Sequence, residues 1–136
     1  MKKILFLMLF ISSFCHSQEW IKIDGKDTVG GEWYISSKYL SKRGNIIKIW
    51  VKNIPSPNEE FEIRDEKGKS KIYKNHIVKE LIEFDCLEER YRLIVQDVKD
   101  SKGVAIWNKN YYSDWEYAVP NSTTLKLLYE ICERFN

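Results

Sequence analysis

The chain has 136 residues, 43% of them hydrophobic, with 22 Lys and Arg against 20 Asp and Glu. That length fills one domain with a genuine core and excludes two. The small positive excess sits in Lys2 and Lys3, so residues 18–136 are charge-balanced, which excludes a general nucleic-acid binder.

Met1-Lys2-Lys3 is a short positive segment, and Ile4 to Ile11 follow as an unbroken apolar run. The run is too short to span a bilayer and has the length of a secretory leader's apolar region. Cys15 and Ser17 stand at the −3 and −1 places for a cut before Gln18. Residues 1–17 therefore read as a signal peptide, and residues 18–136 as the working domain. The alternative is lipid attachment at Cys15, which needs a small preceding residue where Phe14 stands. The expected location is outside the cytoplasm: periplasm, outer-membrane surface or secreted.

Trp20 to Ile23 forms a short strand, turned by Asp24-Gly25-Lys26-Asp27. Val29 to Ile35 is a second candidate strand, and Ser36 to Asn45 reads as a hydrophilic insert. Ile46 to Val51 is rich in β-branched residues and stops at Pro55-Ser56-Pro57-Asn58. Phe61 to Ile63 fits either strand or loop, and the basic stretch from Arg64 to Lys79 reads as a solvated loop. Two longer strands follow around the link Leu87-Glu88-Glu89. On the first, Val78, Ile82, Phe84 and Cys86 share a face, and Glu80 interrupts it. On the second, Tyr91, Leu93 and Val95 alternate with Arg90, Arg92 and Ile94. Asp100-Ser101-Lys102-Gly103 turns into Val104 to Trp107. Pro120-Asn121-Ser122 then stops the chain and caps a helix over 123–135, where Leu125, Leu128, Cys132 and Phe135 recur on one side.

The fold expected is α+β: an antiparallel sheet of five to seven strands with one C-terminal α-helix packed on one face. Cleavage leaves two cysteines, Cys86 on the apolar side of a strand and Cys132 on the apolar side of the helix. In an oxidising compartment an even pair reads as a disulfide, which would tie the helix to the sheet. Two separate buried thiols are the alternative.

Residues carrying this pattern resemble the surface-adhesin protein E-like domain family. They include Glu83-Phe84-Asp85-Cys86, then Arg90 and Arg92, then Trp115-Glu116-Tyr117-Ala118-Val119-Pro120-Asn121-Ser122 running into the helix with Cys132. Upstream, Trp20, Trp33-Tyr34-Ile35, Ile49-Trp50-Val51 and Ser70-Lys71 fit the same layout. The resemblance spans essentially all of residues 18–136. It implies a helix tied to the concave face of the sheet, residence at the cell surface or in the periplasm, and a capacity to form a homodimer; the family's founding member binds host extracellular-matrix proteins, a function that does not carry over with the fold. Asn121 departs from the family, which often has Gly there.

Catalytic groups are sparse. The domain has one histidine, His76, and two cysteines, which do not make a usual zinc set. Glu83 and Asp85 share a strand face and stand opposite Arg90 and Arg92, a pattern of structural ion pairs. No metal, cofactor or catalytic residue is expected, and no enzyme activity. The candidate binding surface is Lys67, Lys69, Lys71 and Lys74 on the basic stretch, with Tyr111 and Tyr112 from an aromatic-rich segment. The function expected is an exported bacterial binding module, adhesin-like, recognising a protein or glycan. The alternative is a periplasmic inhibitor or accessory subunit of another exported protein.

Overall fold

The computed structural model describes residues 20–24 and 30–136. The signal segment 1–17, Cys15, the cut before Gln18 and residues 25–29 of the first turn and second strand lie outside the described residues. Among the described residues nine strands precede one helix: β1 (Trp20–Lys22), β2 (Glu32–Arg43), β3 (Ile46–Ile54), β4 (Phe61–Arg64), β5 (Ser70–Tyr73), β6 (Ile77–Asp85), β7 (Arg90–Lys99), β8 (Ala105–Asn110), β9 (Glu116–Tyr117) and α1 (Thr123–Phe135). Seven of them build one sheet in the order β1-β2-β3-β6-β7-β8, with β9 also pairing β7. Every pairing is antiparallel.

Alternation gives the sheet two unlike faces. Ile35, Ile47, Ile49, Val51, Ile82 and Phe84 point to one side and meet Leu127, Leu128 and Ile131 of α1. Each such buried side chain contributes roughly 1.5–3 kcal/mol. The other, open face carries Trp20, Tyr34, Trp50, Lys52, Lys79 and Asp97, which the register sets on alternate positions. The α1 stripe is centred on Leu127, Leu128 and Ile131, while Leu125, Cys132 and Phe135 flank it half-buried. Cys132 at that flank reaches Cys86, and the two form a disulfide with Cα atoms 5.7 Å apart.

Local signals fix the ends. Ser122 caps α1, its hydroxyl accepting from the Leu125 amide at 3.1 Å. Asn121 sits at φ +63°, a left-handed conformation that Gly adopts freely and Asn better than most other residues. Its replacement of the family's usual glycine therefore keeps the turn. Asp85 is buried and accepts from the Leu87 and Glu88 amides, which shapes the β6–β7 connection.

The reading of Ser36 to Asn45 as an insert does not hold. β2 runs on to Arg43 and returns through Gly44-Asn45, with Gly44 at φ +61° in a two-residue hairpin loop. A register shift between Ser36 and Ser41 lets the polar segment bulge while the pairing resumes. The basic stretch is also not a loop: Ser70–Tyr73 pairs with Phe61–Arg64 as a separate two-stranded hairpin.

Candidate functional site

A β-bulge in β7 builds the site. Leu81 pairs with Val95 but Ile82 pairs with Leu93, so Ile94 is one residue too many. The extra residue switches faces: Tyr91 and Leu93 point to the helix side, Val95 points to the open side, and Gln96 returns to the helix side. This corrects the alternation of Tyr91, Leu93 and Val95 expected along one face. The same bulge separates β8 from β9 along β7, and residues 111–113 cross the gap. The Tyr111 amide donates to Ile94 O at 2.8 Å, the Ser113 amide to Leu93 O at 2.9 Å, and Ser113 Oγ accepts from the Leu93 amide at 2.9 Å. Tyr112 takes φ +44° in this crossing.

Two adjoining cavities open on the helix side. The first, about 370 Å³, is lined by Trp33, Glu80, Tyr91, Tyr111, Thr124 and Leu127 among others. The second, about 260 Å³, lies between β4 and β7–β8, against Phe61, Ile63, Arg64, Gln96, Trp107 and Tyr111. Tyr111 lines both. Its hydroxyl donates to Gln96 Oε1 at 3.2 Å, and Gln96 Nε2 donates to Glu80 Oε1 at 2.8 Å. A hydrogen-bonded chain of three side chains, Tyr111–Gln96–Glu80, thus runs between the two cavities, which flank Tyr111 as a two-part groove. Its walls set the rings of Trp33, Tyr91, Phe61, Trp107 and Tyr111 among polar side chains, of which Glu80 is half-buried.

Burial pushes the Glu80 carboxyl above the ordinary carboxylate range, and the hydrogen bond from Gln96 offsets only part of this. Glu80 is the interruption noted in the apolar pattern of its strand. At the groove margin the Tyr91 hydroxyl donates to Glu116 Oε2 at 3.1 Å; burial and that bond hold the phenol above its ordinary range. The Trp107 indole N–H is buried without a hydrogen-bond partner.

The expected binding residues divide between two places. Tyr111 stands in the groove wall, and Tyr112 beside it is 72% exposed. The four lysines sit on the β4–β5 hairpin, whose β4 strand walls the second cavity. The Lys67 and Lys69 amides both donate to Asp65 Oδ1 at 2.9 Å, which holds the hairpin tip, and their side chains are exposed. Lys71 lies over the Tyr73 ring at 4.8 Å, and Lys74 pairs with Glu60 at 3.0 Å. Sequence reasoning missed Trp33, Glu80, Gln96 and Trp107 as site residues.

The carboxylates on the open side are engaged. Arg92 pairs with Glu83 at 2.6 Å and Arg90 with Asp85 at 3.0 Å, and both guanidinium groups stack on Trp115, at 4.7 and 4.9 Å. Trp115 is thus a platform for the ion pairs and not a core residue, and Tyr117 is exposed. His76 is buried against Phe61, with ring centroids 5.5 Å apart, and its Nδ1 lacks a partner. Burial pushes it below the ordinary histidine range, against an opposing pull from Glu59. Among the described residues no three His, Cys, Asp or Glu side chains gather as a metal site, and no helix is long and apolar enough to cross a membrane.

A seven-stranded antiparallel sheet, a separate two-stranded hairpin and a disulfide-tied C-terminal helix define a small, braced α+β domain. The chain belongs to the surface-adhesin protein E family, whose model matches residues 20–133. A search of curated proteins finds no match to it.

Proposed function

We propose that the chain is an exported, adhesin-like binding module that acts at the cell envelope without catalysis. In this reading the helix-side groove takes apolar and aromatic side chains of a protein partner, and the hairpin lysines steer acidic parts of the same partner to it. The observation that carries this is the pair of cavities on either side of Tyr111, whose walls set aromatic rings (Trp33, Tyr91, Phe61, Trp107) among hydrogen-bonded polar side chains. Aromatic anchors in desolvated pockets with a charged rim are the usual anatomy of a protein-binding hot spot. Family membership supports a surface role. The leader-like residues 1–17 and the Cys86–Cys132 disulfide support an oxidising compartment.

Surface plasmon resonance of the purified protein on immobilised extracellular-matrix proteins tests the proposal. Saturable binding that weakens at least tenfold in Tyr111→Ala is expected. Binding that Tyr111→Ala leaves unchanged removes the groove from the account. No saturable matrix binding, together with a stoichiometric exported partner co-purifying from the envelope, replaces adhesion with an accessory-subunit role.

A further inference from the structure

The open face carries an arrangement that the groove does not use. Lys52 of β3 and Lys79 of β6 are direct register partners. Like charges directly opposite one another destabilise a sheet. Neither ammonium is ion-paired among the described residues. Both instead lean on one indole: Lys52 Nζ lies 4.7 Å and Lys79 Nζ 5.4 Å from the Trp20 ring centroid. Lys52 also lies 4.3 Å from the Tyr34 ring. The neighbouring carboxylates have other partners. Glu32 is held by Lys22 at 2.6 Å and by the Tyr34 hydroxyl at 2.9 Å. Asp97, the register partner of Lys79 on β7, makes no ion pair with it among the described residues; it accepts from Asn108 at 3.3 Å and stands 3.9 Å from Lys99. Burial and Lys79 together push Lys52 below the ordinary lysine range. An anion at this point would relieve both.

A cavity of about 230 Å³ opens beside Lys79, lined by Trp20, Tyr39, Trp50, Lys79 and Asp97, and Lys52 reaches the same Trp20 ring from outside that lining. The β2 bulge supplies Tyr39, which is 57% exposed. Three aromatic side chains, one cation and one carboxylate suit a sugar ring: aromatic surface for the ring's C–H face, Asp97 to accept from hydroxyls, and the Lys79 ammonium for an acidic substituent. We propose that this open-face cavity binds an anionic pyranoside of a glycan, a hexuronate or sulfated hexose, with its carboxylate or sulfate at Lys79, and with Lys52 adding to the positive field there. The site lies on the sheet face opposite the groove and does not depend on the groove's being a binding site.

Fluorescence titration of the purified full chain tests this, with Trp20 and Trp50 as reporters. The probes are a hyaluronan hexasaccharide (carboxylated), a heparin tetrasaccharide (sulfated and carboxylated), maltohexaose (neutral) and inorganic sulfate. At least one acidic oligosaccharide is expected to bind saturably, at least tenfold more tightly than maltohexaose or sulfate, and to weaken as salt rises. The K52M/K79M variant keeps the aliphatic stems and should lose at least tenfold in affinity; Lys79→Gln alone should lose less. K52M/K79M should also unfold at a higher urea concentration than the wild type, because it removes a like-charge contact. The preferred acidic probe separates the hexuronate from the sulfated ring. The proposal is overturned if no oligosaccharide binds, if maltohexaose or inorganic sulfate binds as tightly as the acidic sugars, or if K52M/K79M leaves affinity unchanged. Thr124→Trp, which fills the helix-side groove, should leave sugar binding intact.

Discussion

Replacing both Cys86 and Cys132 by Ala removes the covalent tie between α1 and the β6–β7 connection. The two cysteines are 46 residues apart. Chain-entropy reasoning for a closed loop of that size gives about 4 kcal/mol, through restriction of the unfolded ensemble. Total stability for a domain of this size is on the order of 5–15 kcal/mol, so the loss is a large fraction. The native fold should nonetheless persist, because Leu127, Leu128 and Ile131 still bury against Ile47, Ile49 and Phe84. Equilibrium urea unfolding followed by tryptophan fluorescence measures it. With a slope near ~2 kcal/mol/M, the midpoint should fall by about 2 M, and the slope should rise because the uncrosslinked chain exposes more surface. Wild-type protein in strong reductant should match the variant. A loss below about 1 kcal/mol refutes the reasoning, since it means that the helix and sheet are already constrained together in the unfolded state.

Phe84→Ala empties a fully buried position under α1 and should cost about 3–5 kcal/mol in urea unfolding. Ser122→Ala removes the acceptor for the Leu125 amide and should cost about 1 kcal/mol, read as a lower thermal midpoint. Glu80 has a raised native pKa, so the fold favours its protonated form, and its contribution to stability is lost as pH rises through that native value. Glu80→Gln should therefore raise the urea midpoint at pH 7, and the gain should vanish below about pH 4, where the unfolded carboxyl is also protonated. A lower midpoint for Glu80→Gln at pH 7 contradicts that assignment.

The elements legible in the sequence were those whose apolar residues face one continuous core. Leu125 to Phe135 announced a helix, Ile46 to Val51 a strand, and the faces of Cys86 and Cys132 a disulfide; each is present. The second half of β2 was hidden because Ser36 to Arg43 lies mostly against solvent and carries no apolar alternation. Its signal was the Gly44-Asn45 dipeptide, which fits a two-residue hairpin loop. The β4–β5 hairpin was hidden by its lysines, since a two-stranded ribbon outside the main sheet needs few apolar positions. The bulge at Ile94 had only the run Leu93-Ile94-Val95 to mark it, and one extra residue reversed the face of everything after it. Glu80 stood out as a charge in an apolar row. The groove around it was not legible, because β2, β4, β6, β7, β8, the crossing segment 111–113 and α1 each supply part of the wall from distant places in the chain.

The central claim is that the helix-side groove is where this adhesin-family domain meets its protein partner. Thr124 lines the groove from the first turn of α1, and a tryptophan there fills the space while leaving Ser122 and the core in place. The most direct measurement compares the affinity of wild-type and Thr124→Trp protein for the matrix protein that the wild type binds, alongside K52M/K79M as an open-face control. The account predicts at least a tenfold loss for Thr124→Trp, at an unchanged urea midpoint, and none for the control. Equal affinity for wild type and Thr124→Trp would contradict it.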